Sequence, residues 1–138
     1  MHFHTKVLAY IIYNDKLLVF RHRDNPEAGI QVPAGTVESG ESVEAALFRE
    51  ILEESGIPQN ELRLVKHLKT YLYYAAYKQQ YHERHVYQLE LIQERPAHWE
   101  HTIEASGEDA GLVFEYFWIP VQEAELAGGQ GEYLDLCC

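Results

Sequence analysis

Hydrophobic and polar positions predict a hairpin at the start of the chain. Phe3 to Tyr13 is rich in β-branched and aromatic residues, which favours a strand. Asn14-Asp15 is a turn signal, and Lys16 to Arg23 is the expected returning strand. The segment DNPEAG that follows is predicted to be a loop. The next stretch, IQVPAG, is short and apolar and is interrupted by Pro33 and Gly35.

The pattern then changes to helical spacing from Val43 to Ser55. Ser42 or Ser39 is a suitable N-cap, and Gly56 followed by Pro58 ends the predicted helix.

The second half of the chain returns to strand-like segments. Leu62 to Tyr77 and His82 to Ile92 are predicted strands on either side of a KQQ turn. Arg95 to Leu112 shows little periodicity and is predicted to be a long loop, which is uncommon in a compact domain and often functional. VFEYFWI is the last predicted strand, and Pro120 opens a short predicted helix, VQEAELAGG. This order predicts one α/β domain over residues 1–138, with a mixed sheet covered by helices.

The predicted helix carries an unusual cluster of acids. Glu50, Glu53 and Glu54 lie at i, i+3 and i+4 and therefore share one face. Three apolar residues lie on the same face one to two turns earlier: Val43, Ala46 and Leu47. Two more apolar residues, Phe48 and Leu52, occupy another side. We therefore expect the helix to be covered on more than one side, with its carboxylates facing a cleft.

Neighbouring carboxylates that are partly removed from water repel one another. Protonation relieves that repulsion, and so does a hard cation such as Mg²⁺, which prefers oxygen ligands. A solvated acidic face is the alternative interpretation of such a helix.

Composition narrows the classes of function. The formal net charge of -11 provides no positive surface for phosphate backbones, so broad nucleic-acid binding is not expected. A divalent metal would still let an acidic protein act on phosphates. The two cysteines, Cys137 and Cys138, are predicted to be a frayed, reduced terminus, and they are too few for a thiolate zinc site. No apolar run is long enough to span a bilayer and no signal-peptide pattern is present, which predicts a cytoplasmic protein.

One motif combines these features. Gly35 is followed after five residues by Glu41, and after seven more by REILEESGI, from Arg49 to Ile57. This pattern resembles the Nudix box, G-x5-E-x7-R-E-U-x-E-E-x-G-U with U a bulky aliphatic residue, at every specified position. A looser resemblance to the family extends to LLVFRHR, to VPAG before the box and to FEYFWIP near the end. The chain therefore resembles the Nudix, or MutT-like, hydrolases.

The resemblance implies both a fold and a reaction. The fold is a Nudix-type α/β/α sandwich with a central mixed sheet. The reaction is Mg²⁺- or Mn²⁺-dependent cleavage of a diphosphate linkage in a nucleoside di- or triphosphate or a nucleotide derivative, by water attack at phosphorus. The partner is then a small nucleotide-like molecule, and a homodimer is compatible with the family. The alternative is a non-catalytic Nudix-fold module that binds or senses a nucleotide.

Roles for individual residues follow from the same resemblance. Glu53 and Glu54 are metal ligands, and Glu50 is a further ligand or the base that activates water. The backbone carbonyl of Ala34 or Gly35 is another ligand.

Other assignments concern residues around this set. Arg49 orients the glutamates through ion pairs, and Glu41 is its partner or a support for the loop and not a primary metal ligand. Some family members use a further acid from outside the box, for which this chain offers Glu94, Glu100, Glu104, Glu108 and Glu115, with Glu100 or Glu104 preferred because the long loop could fold over the site. The predicted substrate contacts are Arg21, Arg23, Arg84 and Trp99, of which the arginines are alternatively solvated charges and Trp99 alternatively anchors its loop. Ile30 and Ala34 depart from the common Gly-Trp and Pro-Gly-Gly pattern, which leaves the substrate open.

Overall fold

The computed structural model describes residues 3–104 and 110–137 of the chain. This part contains one α-helix, α1, which spans Val43–Ser55. Seven strands form one sheet: β1 Phe3–Tyr13, β2 Lys16–His22, β3 Ala34–Thr36, β4 Leu62–Ala75, β5 Gln80–Leu91, β6 His98–Thr102 and β7 Val113–Pro120. Most predicted strands are present, with ends that differ by one or two residues.

The sheet is mixed, as predicted. Its strand order is β4-β5-β1-β2-β7-β6, with β3 paired to β1 outside this path. The β1–β5 pair is parallel and the remaining pairs are antiparallel. β1 meets β2 only near the hairpin turn, at Ile12 and Tyr13, whereas it meets β3 at Lys6 to Leu8. β1 and β2 therefore diverge, and β3 lies in the opening between them.

Both faces of the sheet are covered. Alternate residues of β1 pack on opposite faces of the sheet, because successive side chains of a strand point to opposite sides. Val7, Ala9 and Ile11 pack with Ala46, Leu47 and Ile51 of α1. Leu8 and Tyr10 pack on the opposite face, with Val86 and with Leu134 and Cys137 of the C-terminal segment. The fold class is therefore that of the predicted sandwich.

The helix begins and ends where the sequence indicates. Ser42 is the N-cap, and its side chain accepts a hydrogen bond from the backbone N–H of Ala45 at 3.1 Å. Gly56 ends the helix in the left-handed conformation at φ 82°, which glycine adopts without steric cost. Phe48 packs against the core as expected. The expected covering of Leu52 is wrong, because half of this residue is exposed.

Two predicted elements require correction. The predicted loop Arg95 to Leu112 contains β6, His98–Thr102, which pairs with β7. Its five residues are mostly polar, so the alternation that marks a strand was too short to detect. The predicted helix after Pro120 is replaced by 3₁₀ turns at Val121–Glu123, Ala127–Gly129 and Leu134–Leu136. Gly128 and Gly129 both have positive φ angles, which an α-helix excludes.

Side chains of the sheet hold the C-terminal segment in place. The Tyr10 hydroxyl donates to the backbone carbonyl of Gln130. The Gln130 side-chain carbonyl accepts from the backbone N–H of Val32 at 2.8 Å. Cys137 is buried, so the expectation of a frayed terminus is wrong at that residue, and Cys138 lies outside the described residues. Among the helices described, none is long and apolar enough to cross a membrane.

Candidate active site

The last turns of α1 pack against β3, and this contact builds the site. The Glu54 carboxylate accepts a hydrogen bond from the backbone N–H of Ala34 at 3.0 Å. The Glu50 side chain fills the space beside Gly35, where an added Cβ would overlap its carboxyl group. The motif glycine is therefore required by close packing, since Gly35 does not have a positive φ angle.

Arg49 connects the carboxylates of the motif. Its Nε donates to Glu41 Oε2 at 2.7 Å and its Nη2 to Glu41 Oε1 at 2.9 Å, which is a bidentate pair. Its Nη1 donates to Glu50 at 2.9 Å and to Glu53 at 3.2 Å. Nη2 also donates to the backbone carbonyl of Thr36. The predicted pairing of Arg49 with Glu41 is thus present, and one guanidinium contacts three acids of the box.

The electrostatics of the motif acids differ. The hydrogen bonds from Arg49 lower the pKa of Glu41 to about 2. Burial raises the pKa of Glu50, whose side chain is only 14% exposed, and the charge of Glu53 raises it further against the opposing effect of Arg49. Glu41 first and then Glu50 raise the pKa of Arg49, so this arginine stays charged. The site therefore has more negative charge than its one arginine balances.

The β1–β3 ladder distinguishes the two candidate backbone carbonyls. Ala9 N–H donates to Pro33 O, and Val37 N–H donates to Thr5 O, each at 2.9 Å. Hydrogen-bonded and non-bonded pairs alternate in an antiparallel ladder, so Gly35 is in a bonded pair with Val7. Ala34 is in a non-bonded pair, and its N–H and C=O point away from β1. Its N–H reaches Glu54, so its carbonyl is directed toward the same side.

Four consecutive carbonyls at the end of α1 accept hydrogen bonds from one part of the chain. The donors are His101 Nε2 to Glu53, Tyr116 Oη to Glu54, Trp99 Nε1 to Ser55 and Arg95 Nη2 to Gly56, at 2.9, 2.8, 3.0 and 3.2 Å. The last carbonyls of a helix have no partner within it, so these bonds satisfy groups that would otherwise be exposed or unpaired. The Trp99 ring also stacks on Tyr116, with centroids 5.1 Å apart. β6 and β7 therefore fix the turn that carries Glu53 and Glu54.

Of this set, the sequence singles out only Trp99, as a substrate contact or an anchor for its loop, and the other three members are missed because they lie outside the box. Trp99 and His101 are in β6 and Arg95 precedes it, all within the segment that the sequence predicts to be a loop. The detectable signal was the cluster of aromatic and imidazole groups in HWEH and FEYF. Such groups combine an apolar ring with a hydrogen-bond donor.

The carboxylates of the box suit a hard divalent cation, although their oxygens do not converge on one point. Glu50, Glu53 and Glu54 offer carboxylate oxygens from one helix face, and the excess negative charge would be relieved by a cation. Within the described ranges, no three His, Cys, Asp or Glu side chains form a grouping that could already hold a metal. Glu50 and Glu53 instead contact Arg49, and Glu54 contacts Ala34.

A cavity of about 440 Å³ opens beside the helix end. Glu54, Ala34 and Gly35 form part of its lining. Basic groups of the diverging β1 and of β5 line it as well: Lys6, His82 and Arg84. Glu54 of the box and a set of basic groups therefore border the same space.

The four predicted substrate contacts lie in three different places. Arg84 lines the cavity with Glu54. Arg21 and Trp99 line a different cavity with Glu100 and Glu115. Arg23 directly follows β2 and lines neither cavity, and it contacts Asp24 at 3.2 Å and Glu100 at 3.6 Å.

The acids outside the box are also dispersed. Glu115 contacts Arg21 at 3.1 Å, and Glu100 contacts Arg23. Glu94 lines a third cavity beside Tyr13, and Glu104 is exposed after β6. These four acids are absent from the lining of the cavity that holds Glu54. Glu108 lies outside the described residues.

The geometry thus defines a helix-borne carboxylate site next to a basic cavity on a mixed sheet. Residues 2–137 match the NUDIX domain family model, so the chain belongs to the Nudix hydrolase family. This confirms the family and the enzyme class that the box predicts.

Three similar proteins, one compared by sequence and two by structure, show what this chain resembles. A NAD-capped RNA hydrolase NudC from Shigella flexneri is 41% identical over 59 residues, which are 43% of this chain and 23% of the relative. The chain thus matches about a quarter of the length of these curated relatives. The E. coli dihydroneopterin triphosphate pyrophosphohydrolase superposes with a TM-score of 0.72 at 20% identity, covering 99% of this chain and 97% of the other. A MutT Nudix hydrolase from Burkholderia pseudomallei gives 0.67 at 22% identity, with 100% of both chains covered.

Proposed function

We propose that this Nudix hydrolase uses a divalent metal, Mg²⁺ or Mn²⁺, to cleave a diphosphate linkage in a nucleoside di- or triphosphate or a nucleotide derivative. The observation that carries the proposal is the position of Glu50, Glu53 and Glu54 at the end of α1, beside β3 and a basic cavity. The similar proteins include a pyrophosphohydrolase and an RNA-cap hydrolase, which supports a phosphoanhydride as the bond that is cleaved.

The metal would be held by Glu53 and Glu54 and by a backbone carbonyl of β3, with Glu50 as a further ligand or as the base that activates water. Of the two predicted carbonyls, we favour Ala34 over Gly35, because the Gly35 carbonyl is engaged in the β1–β3 ladder. When bound, Mg²⁺ or Mn²⁺ would neutralise charge on the diphosphate and lower the pKa of a bound water molecule.

Glu50 is the acid best placed to accept a proton from the attacking water. Its raised pKa makes it a better base than an ordinary surface carboxylate. Its position is limited by Gly35 on one side and by Arg49 on the other. Metal binding would compete with Arg49 for Glu50 and Glu53, so Arg49 positions these acids and is not itself a metal ligand. Water then attacks phosphorus directly, without a covalent enzyme intermediate.

Arg84 is the proposed phosphate contact, because it shares the cavity with Glu54. Contacts of Arg21, Arg23 and Trp99 with substrate remain predictions. The hydrogen bond from Trp99 to Ser55 and its stacking on Tyr116 support the alternative role of anchoring its segment.

The proposal is tested by incubating the protein with a panel of phosphoanhydrides. The panel contains nucleoside triphosphates, nucleotide sugars, dinucleoside polyphosphates and capped RNA, each with Mg²⁺, Mn²⁺ or EDTA. We expect phosphorus NMR to detect new phosphate-containing products only with metal. Metal-dependent nucleotide binding without any product would instead support the sensor alternative. Turnover that is equal in EDTA would contradict the proposed metal dependence.

A further inference from the structure

Two basic side chains are placed side by side in the cavity. Lys6 of β1 and Arg84 of β5 are register partners in the parallel β1–β5 pair. Partners in neighbouring strands project from the same face of the sheet, so these two charges are adjacent. Like charges in this position repel, and the repulsion is greater when water is partly excluded.

Arg84 is buried without an acidic partner in the described part of the chain. Only 8% of the residue is exposed. Its guanidinium lies over the Tyr73 ring, 3.6 Å from the centroid. Its hydrogen bonds to described residues both leave from Nη1, to the Tyr71 hydroxyl at 3.2 Å and to the Gly128 carbonyl at 2.9 Å. A buried charge normally has a counter-ion, and here the described residues provide none.

Lys6 connects this basic group to the acids of the box. Its ammonium donates to the Thr36 hydroxyl at 2.6 Å. Burial lowers its pKa, as do the charges of Lys78 and Arg84, whereas Glu50 opposes that effect. Lys6 thus lies between Arg84 and the carboxylate site. It forms no ion pair with a described carboxylate.

His82 is a third basic residue, and its pKa is affected by the same two charges. His82 is almost fully buried on the same strand face as Arg84, two residues earlier in β5. Burial lowers its pKa to about 4, and the charges of Lys6 and Arg84 contribute. His82 is therefore neutral at neutral pH. Among the residues that line this part of the cavity, the positive potential comes from Lys6 and Arg84, and Lys78 adds to it from outside the lining.

We infer that Lys6 and Arg84 form a subsite for an additional phosphate of the substrate, beyond the diphosphate that is cleaved. This inference rests on the proposed hydrolysis at Glu50, Glu53 and Glu54. The box and its metal would neutralise the scissile diphosphate, which leaves two further cations for a further anionic group. The subsite selects nucleoside triphosphates and longer polyphosphates over nucleotide sugars, whose distal group is neutral.

The competing explanation is that Arg84 is a structural tether. It joins β5 to the C-terminal segment through Gly128, and a tether needs no ligand. Lys6 separates the two explanations, because it lines the same cavity and its hydrogen bond goes to Thr36 of β3, with none to the described residues of that segment. Loss of Lys6 should affect a phosphate subsite while the tether remains.

The test compares wild type with Lys6→Met, Arg84→Lys and Arg84→Gln. Lys66→Met is the matched control, since Lys66 is exposed on β4 and outside the cavity. The first readout is calorimetric binding of inorganic tripolyphosphate and of methyl phosphate, to metal-free protein in EDTA. The second is kcat/KM for ATP and for UDP-glucose with Mg²⁺. Thermal unfolding establishes that each variant is folded.

We expect wild type to bind tripolyphosphate more tightly than methyl phosphate. Lys6→Met should weaken tripolyphosphate binding by about tenfold or more, and Lys66→Met should not change it. The ratio of kcat/KM for ATP to that for UDP-glucose should fall by a similar factor, mainly through KM. Arg84→Lys should retain part of the binding that Arg84→Gln loses.

The two proposals fail in different ways. Equal tripolyphosphate binding by wild type and folded Lys6→Met would overturn the subsite, whether or not the protein hydrolyses nucleotides. Binding that depends on Lys6, in a protein that cleaves no member of the panel, would support the subsite and remove the proposed hydrolysis.

Discussion

Gly35 and Glu50 occupy complementary space: the carboxyl group of Glu50 lies where a side chain on Gly35 would have to be. Gly35→Ala should therefore displace Glu50 from its position between β3 and Arg49. Glu50 is the proposed base or further metal ligand, so we expect kcat/KM to fall by about a hundredfold or more. Losses of this size are typical when a catalytic group is displaced from its position. Steady-state hydrolysis of the best substrate from the panel measures this effect.

The control for this substitution is Gly131→Ala. A Cβ at Gly131 would meet its nearest neighbours, atoms of Leu126, at ordinary contact distances of 3.6 Å or more. Its φ is not positive, so alanine is not strained there. Normal activity in both variants would show that the close packing of Gly35 against Glu50 has no role in turnover.

The bidentate pair of Arg49 and Glu41 should make part of the stability dependent on pH. The pKa of Glu41 falls from its ordinary value of 4.5 to about 2 in the folded protein. A carboxyl with a lowered pKa stabilises the fold above the unfolded value, and this contribution is lost as pH falls through the folded value. We expect Glu41→Gln to lower the unfolding temperature at pH 6, and the difference from wild type to shrink between pH 4.5 and pH 2.

The exposed acid Glu125 offers a comparison for this measurement. It lies in the C-terminal segment, away from Arg49. Glu125→Gln should follow wild type across the whole pH range. A difference between wild type and Glu41→Gln that stays constant from pH 6 to pH 2 would contradict the assigned pKa shift.

We expect the Tyr116 hydroxyl to contribute both to the stability of the fold and to the position of Glu54. Its buried hydroxyl donates to the backbone carbonyl of Glu54, and Tyr116→Phe removes only this bond. The loss of one buried hydrogen bond is expected to reduce the free energy of unfolding by about 1–2 kcal/mol. Because the freed carbonyl belongs to Glu54, kcat should decrease as well, while KM changes little.

Tyr13→Phe is a suitable reference for this change. Tyr13 is also an aromatic residue of the sheet, and it packs beside Trp118. We expect it to leave kcat unchanged. If Tyr116→Phe loses stability but retains full kcat, the hydrogen bonds to the end of α1 support the fold alone.

His82 should report the occupancy of the basic cavity. Its pKa of about 4 is due first to burial and then to the charges of Lys6 and Arg84. An anion bound between those cations offsets their repulsion, so we expect tripolyphosphate to raise the pKa of His82. NMR titration of the histidine resonances measures this shift, with the exposed His98 as the internal reference. An unchanged His82 pKa in the presence of bound tripolyphosphate would place the anion elsewhere.

The sequence was most informative where interactions are local. The bounds of α1, its Ser42 N-cap and its Gly56 end follow from spacing and from residue types within one segment. The pairing of Arg49 with Glu41 also follows from the motif. These contacts join residues that are close in the chain, so their pattern can be recognised without knowledge of the sheet.

Contacts between distant strands were less accessible. The adjacency of Lys6 and Arg84 depends on the parallel register of β1 with β5, which no local pattern specifies. The hydrogen bond from Trp99 to Ser55 depends on β6, whose short polar segment resembled a loop. The closure of the second sheet face by 3₁₀ turns depends on Gln130, which bonds to Tyr10 and Val32.

The most direct test of the central claim is metal-dependent hydrolysis by Glu53→Gln, compared with Glu44→Gln. Both residues are on α1, but Glu44 is exposed in its first turn, whereas Glu53 is in the proposed metal site. We expect Glu53→Gln to lower kcat/KM at saturating Mg²⁺ by about a hundredfold or more and to weaken Mg²⁺ binding, and Glu44→Gln to change neither. Wild-type turnover and Mg²⁺ affinity in a folded Glu53→Gln protein would contradict that claim.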